Sequence, residues 1–291
     1  RPFVFHLSTF FWFLVQLTVM PALFASILDR VGGLPHNVWI ALFATAWYGL
    51  HPAMAETMNY IIQRGELYSA LGVVAALWLY VRFPGARRRG LYLGPVILGA
   101  LCKGSVLVFP FLLAAYVFLF ERDPARSGWS AAIDALRKCR LALQVCAALA
   151  AVLWFMTLPS LAPGTIPAHA YWITQPYVAL RYFLSFFVPA HLSVLSDLRP
   201  LSSVLSPAGL AGMLFLAALA AAIWFTARVA EWRPAAFGLL WFGIALLPAA
   251  VFPQSEVEDD RRMFFPFVGL VFAVTWTGYR VLESRGMARK M

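Results

Sequence analysis

Nine apolar runs alternate with short polar breaks along the chain, at about residues 3–28, 37–50, 67–81, 91–120, 141–158, 174–190, 207–227, 234–252 and 264–282. A helix needs roughly 20 apolar residues to cross a bilayer. The 291 residues therefore accommodate about seven or eight crossings joined by short loops. The pattern predicts an all-α fold, a polytopic bundle of transmembrane helices. No stretch is long or polar enough to form a soluble domain, so residues 1–291 read as a single transmembrane domain.

Basic clusters punctuate the runs: Arg82 with Arg87 to Arg89, Arg122 to Arg140, Arg228 with Arg233, and Arg280 to Lys290. Short loops rich in Arg and Lys stay cytoplasmic. Placing these clusters on one side makes 29–36, 82–90, 121–140, 228–233 and the C-terminus cytoplasmic. The outer loops are then 51–66, 159–206 and 253–263. Sixteen of the 23 basic residues but only six of the 13 acidic ones fall inside, leaving seven of each outside. The whole formal excess of +10 thus lies on one face. This arrangement accounts for the charge without nucleic acid as a partner.

Two runs do not fit as simple spans. Run 91–120 would reach about 45 Å as one helix, well beyond a hydrocarbon core. Pro95, Gly99, Gly104 and Pro110 interrupt it, and Lys103 sits in its middle. It reads as a broken-helix hairpin with Lys103-Gly104 at the outer turn, a geometry tolerated only beside protein or a water-filled cavity. Run 174–190 must begin and end outside. It reads as an interfacial or re-entrant helix with Arg181 on its wet face.

Composition adds two limits. The chain is 62% hydrophobic and 12% charged, about half the charge of an ordinary soluble domain. Cys102, Cys139 and Cys146 form no paired or zinc-binding pattern, and Cys139 and Cys146 read as packing residues. The common nucleotide-binding, metalloprotease and serine-hydrolase motifs are absent. His169 and His191 stand without ligand spacing, and Tyr171 and Trp172 read as interface aromatics.

The outer polar residues are mixed in sign and close to helix ends. His51, Glu56, Arg64 and Glu66 border one outer loop, and Lys103 marks the hairpin turn. Asp197 and Arg199 lie in a second loop. Glu256 to Arg262 lead into the last apolar helix. A charge inside a membrane helix costs roughly 2.5–3.5 kcal/mol on insertion scales, so such residues need partners or water. Lys and Arg suit a phosphate or pyrophosphate. Asp and Glu suit a sugar hydroxyl or a proton. A lipid-phosphate carrier has a tail for the bilayer and a phosphate for such a cavity.

The chain resembles a known family at five places in order. Leu50-His51-Pro52 to Glu56 followed by Gln63-Arg64-Gly65-Glu66-Leu67 is similar to the HPxxxE…xRxDLL segment of GT-C-fold membrane O-mannosyltransferases with tetratricopeptide repeats. Leu101-Cys102-Lys103-Gly104-Ser105 to Pro110 resembles LSKE…LP. Thr174-Gln175-Pro176-Tyr177 with Arg181-Tyr182 resembles TQPYV…RY. Asp197 through Ser206-Pro207 resembles lDxxxP…SLLSP, and Asp260 to Gly269 resembles EHRxYxPxVG.

The resemblance implies a GT-C glycosyltransferase-like fold and an extracytoplasmic site. It also implies a polyprenyl- or dolichyl-phosphate sugar donor. The sugar, mannose in that family, would pass to an acceptor hydroxyl with inversion. The substrate-binding residues would be His51, Glu56, Arg64, Lys103, Asp197, Asp260 and Arg262. No catalytic residue is identified in this chain, because the family's catalytic carboxylate would lie upstream of Arg1. The family's repeats would follow Met291.

Two departures stand out. Gly104 occupies the place of the family's Glu, and Asp260-Arg261-Arg262 that of Glu-His-Arg. No resident cofactor or metal is implied with certainty, and a divalent metal is left open. The expected partners are membrane lipid, the lipid-phosphate sugar, and a protein acceptor or a larger membrane complex. The expected location is a bacterial inner membrane, multi-pass, with the site facing outside. The alternative is a non-catalytic GT-C-like subunit of a larger assembly.

Overall fold

A computed structural model describes residues 2–122, 128–157, 166–190, 192–193 and 196–285. Parts of the expected loops 121–140 and 159–206, the end of the chain and His191 lie outside the described residues.

The regular structure among the described residues is all helical, with no strand among them. The helices are α1 (Pro2–Leu28), α2 (Asn37–Leu50), α3 (Met54–Asn59), α4 (Arg64–Arg82) and α5 (Pro84–Arg88). They continue with α6 (Leu93–Cys102), α7 (Phe109–Phe120), α8 (Gly128–Lys138) and α9 (Arg140–Thr157). The last four are α10 (Ala168–Phe187), α11 (Pro207–Arg228), α12 (Arg233–Val251) and α13 (Pro266–Ser284). Short 3-10 turns at Ile61–Gln63, Gly104–Val108, Ala230–Trp232 and Asp260–Met263 join some of them.

Among the described residues three helices, Phe3–Leu28, Pro207–Arg228 and Ala230–Val251, are long and apolar enough to cross a membrane. The bent pair α8–α9 makes a fourth if it counts as one span. This is fewer than the seven or eight crossings expected. The reason is partly length: α2 has 14 residues, about 21 Å of helix. It still runs the height of the bundle. Asn37 donates to Asp29 at one end (2.7 Å), and the Tyr48 hydroxyl donates to the Phe264 carbonyl at the other (2.9 Å).

Contacts sort the loops into two ends. At the basic end, Arg30 donates to the Val81 carbonyl at 3.0 Å and Arg87 pairs with Glu121 at 2.9 Å. Lys138 reaches the Glu121 carbonyl. Trp276 donates to the Glu231 carbonyl, and His36 lies against Tyr279. The described parts of the five basic breaks therefore gather at one end.

The chain reverses at Lys103. Its extended backbone (φ −159°, ψ 139°) ends α6. A straight helix would hold Tyr92 and Phe109 about 25 Å apart, yet their ring centroids are 6.1 Å apart. The two arms then diverge, α6 onto α4 and α7 onto α12. A Cβ on Gly72 of α4 would lie 2.7 Å from the Pro95 carbonyl of α6. Glycine there lets the two backbones approach closely, as small residues do between membrane helices. Gly238 and Gly269 do the same between α12 and α13.

Several expected loops contain helix. Residues 121–140 hold α8, which buries Ala131 and Ala135 and meets α9 at 63°. Arg64 and Glu66 belong to the first turn of α4 rather than to loop 51–66. The re-entrant run 174–190 is the greater part of α10. Tyr171, Gln175, Tyr182 and Phe186 contact 249–267 and His51 at the end opposite the basic one, while Phe183 packs on Phe215 of α11 and Phe242 of α12.

Candidate functional site

A cavity of about 580 Å³ opens at the mixed-charge end, opposite the basic loops. The first turn of α4 contributes Glu66, and the turn after α6 contributes Lys103 and Ser105. The segment before α13 contributes Asp259, Arg261 and Arg262. The facing wall is apolar, built from Leu153 and Trp154 of α9 and from Leu246 and Phe252 at the end of α12.

Lys103 Nζ lies 2.6 Å from Glu66 Oε1. Ser105 Oγ donates to Glu66 Oε2 at 3.2 Å, and Ser69 Oγ lies 3.0 Å from Ser105 Oγ. The Glu66 side chain is 10% exposed and that of Lys103 is 40% exposed. The carboxylate is thus held inside while the ammonium faces the cavity. A lone Lys among thirty apolar residues needed such a partner, and Glu66 supplies it. Local pairing of Arg64 with Glu66 does not occur.

Arg261 donates from Nε to both Asp259 oxygens (2.6 and 2.8 Å), and its Nη2 also pairs with Asp259. Asp259 Oδ1 accepts from the Arg261 amide as well, capping the 3-10 turn. Glu56 Oε1 lies 3.5 Å from the same Arg261 Nε, without a hydrogen bond. Burial, reinforced by the nearby Asp259 carboxylate, pushes the Glu56 carboxyl up to about 7, although Arg261 works against the shift.

Arg262 is held by acceptors that carry no charge. Its Nη1 donates to the Val257 carbonyl (3.1 Å) and the Tyr171 hydroxyl (3.4 Å). Its Nη2 donates to Gln254 Oε1 and the Glu256 carbonyl (both 2.9 Å). Among the described ion pairs none involves Arg262. Tyr171 is fully buried and donates in turn to Ala249, so it is a support for Arg262 and not an interface aromatic. Trp172 is half exposed and donates to Val251.

α10 pins this segment. The Tyr182 hydroxyl donates to the Asp259 carbonyl (2.9 Å) and accepts from its amide (2.8 Å). Arg181 Nε meets Glu258 Oε1 at 2.6 Å, and Gln175 donates to the Val257 carbonyl.

The structure divides the seven expected substrate-binding residues. Lys103 and Arg262 line the cavity. Glu56 lies behind Arg261. Asp197 and Asp260 line a different, polar cavity of about 820 Å³, with Arg181 and Glu258. There Asp260 Oδ2 accepts from the Ser193 amide, and burial raises the Asp260 carboxyl. Side chains along 258–262 point to two sides, so neighbours in sequence serve different spaces.

Arg64 lines a third hollow, with Tyr60, Tyr68 and Cys102. His51 is buried, stacked on Phe186 with its edge to Phe267. Its Nε2 donates to the Phe186 carbonyl (3.0 Å), and its Nδ1 accepts from the Ala53 amide (3.2 Å). Burial lowers its pKa, so the neutral ring latches α2 to α10 and leaves no nitrogen for a ligand.

Glu66, Asp259 and Arg261, expected only as outer polar residues near helix ends, and Ser105, which no motif marks, also line the cavity. Their signal was the unpaired cost of Lys103 and the charge density of 256–262. No group of three or more His, Cys, Asp or Glu able to hold a metal occurs among the described residues. Cys139 and Cys146 are buried and unpaired.

No protein-family model, curated protein or solved structure matches the chain.

Proposed function

We propose that the chain is the membrane region of a GT-C-like glycosyltransferase whose main cavity receives the phosphate of a polyprenyl-phosphate sugar. One observation carries this reading: Lys103, Arg261 and Arg262 share a cavity whose opposite wall is apolar. Three cations stand there against two carboxylates, Glu66 and Asp259, so a phosphate would be favoured. Trp154, Leu246 and Phe252 would receive the first isoprenoid units. Lys103 would offer the phosphate a point charge, and Arg262 would add positive charge while its terminal N–H groups hold Tyr171 and the 254–257 segment.

In the proposed transfer an acceptor oxygen attacks the anomeric carbon. The bond to the phosphate oxygen breaks, and the phosphate leaves with the electron pair. The cations hold the charge that develops on it. The acceptor proton passes to a carboxylate outside this chain's cavity, because Glu66 and Asp259 are committed to ion pairs. The five-part resemblance to membrane O-mannosyltransferases supports this reading and favours mannose. An outward-facing site follows from the positive-inside rule.

The test uses the full-length protein in liposomes with a photoreactive polyprenyl phosphate. Crosslinks are expected on the 150–154 and 245–252 peptides and should fall with Lys103→Met or Arg262→Lys. Labelled mannose should pass from polyprenyl-phosphate mannose to an acceptor. Crosslinks elsewhere, indifferent to both substitutions, would remove the donor site. Crosslinks as expected without transfer would favour the non-catalytic subunit.

A further inference from the structure

Arg64 stands outside the main cavity, at the mouth of a separate groove. An open hollow of about 720 Å³ at the mixed-charge end is lined by Arg64, Tyr60, Ile62, Tyr68 and Cys102. An apolar groove of about 420 Å³ continues from it between α1, α4 and α6, sharing Tyr68 and Cys102. Trp12, Val19, Ala75, Pro95 and Leu98 line its depth. Gly72 and Gly99 form part of its floor, and the close α4–α6 approach they permit shapes the notch.

The Arg64 guanidinium is underused. Its Nε donates to the Ile61 carbonyl (3.1 Å), and its carbon lies 5.0 Å above the Phe5 ring. Among the described residues its two terminal nitrogens have no hydrogen-bond or ion-pair partner, since Glu66 is taken by Lys103. From Arg64 to Ala75 the helix descends about 16 Å, which is about half of a 30 Å hydrocarbon core. The groove thus has the depth of one leaflet, with a cation at headgroup level and an apolar floor. Leu98 of the groove and Ile62 of the hollow are 67% and 74% exposed.

We infer that this groove holds a glycerophospholipid of the adjoining leaflet, one acyl chain between α1, α4 and α6 and its phosphate on Arg64. Charge complementarity and the single-leaflet depth favour an ordinary phospholipid over the much longer polyprenyl chain assigned to the main cavity. The site is independent of the transferase reading.

The test uses full-length protein in detergent, titrated with phosphatidylglycerol brominated on its acyl chains. Trp12 lines the groove, so its fluorescence should be quenched. Subtracting the trace of Trp12→Phe isolates that signal. Arg64→Gln should weaken phosphatidylglycerol binding about tenfold, the loss of one charge-assisted contact. It should leave the weaker binding of brominated diacylglycerol, which lacks a phosphate, unchanged. Ala75→Phe should abolish quenching by both; Val19→Phe replaces it if Ala75→Phe does not fold.

Equal quenching by all lipids in wild type and Arg64→Gln would reduce the groove to ordinary bilayer contact and overturn the inference. Displacement by polyprenyl phosphate at lower concentration than by unlabelled phosphatidylglycerol would overturn the phospholipid assignment. Failure here leaves crosslinking at the main cavity unaffected.

Discussion

Lys103 and Glu66 meet at 2.6 Å, tying the turn after α6 to the first turn of α4. Removing Lys103 alone leaves Glu66 buried with only Ser105 as partner. Lys103→Met should therefore destabilise the protein by about 1–3 kcal/mol, the cost of an unsatisfied buried charge-bonding group. Glu66→Gln in the same chain should recover much of it. A double-mutant cycle on thermal unfolding in detergent measures the coupling. Additive effects would mean that the pair contributes nothing.

Arg262 grips Val257, Glu256 and Gln254 through two nitrogens, which a lysine cannot imitate. Arg262→Lys should raise amide exchange across 254–262 and weaken binding of polyprenyl phosphate about tenfold, equivalent to about 1.4 kcal/mol. Unchanged exchange together with unchanged binding would dismiss both roles.

Glu56 makes stability depend on pH. Its carboxyl is raised from 4.5 to about 7 in the folded state, so the native protein holds a proton that the unfolded chain releases earlier. Its contribution is fully present below about 4.5 and is lost as pH rises through about 7. Glu56→Gln should leave stability near wild type at low pH and raise it at pH above the folded value. Melting curves across that window decide the point. The same slope in both proteins would show that burial of Glu56 is unimportant, and Asp260, also raised, would then be the residue to replace.

The two ends of the bundle should face opposite sides of the membrane. In a background lacking Cys102, Cys139 and Cys146, single cysteines at Ile62 and Gln254 should react with an impermeant maleimide in intact cells. Cysteines at Arg89 and Trp129 should react only after permeabilisation. Labelling of Arg89→Cys from outside would reverse the orientation expected from the positive charge.

Much of the bundle was legible in the chain. Helical runs follow from residue-by-residue transfer free energies and from backbone bonds satisfied within each helix. That is why the break at Lys103 and the gathering of Arg30, Arg87 and Arg280 at one end could be read from order alone. Which helices cross singly was less clear, because α4 and α13 carry charge at their ends and α2 is short.

The site was only partly legible. Sequence order marked Lys103 and Arg262 as cavity cations but grouped with them Asp197, Asp260, Arg64 and His51. Only the tertiary structure decided that Asp260 turns away from Arg262, that Arg64 lines a separate hollow, and that His51 is sealed against Phe186. The physical reason is that burial cost depends on a residue's own chemistry, whereas the choice of partner depends on where other helices arrive. Glu66 finds Lys103, 37 positions on, because the Gly72–Pro95 approach draws α6 against α4.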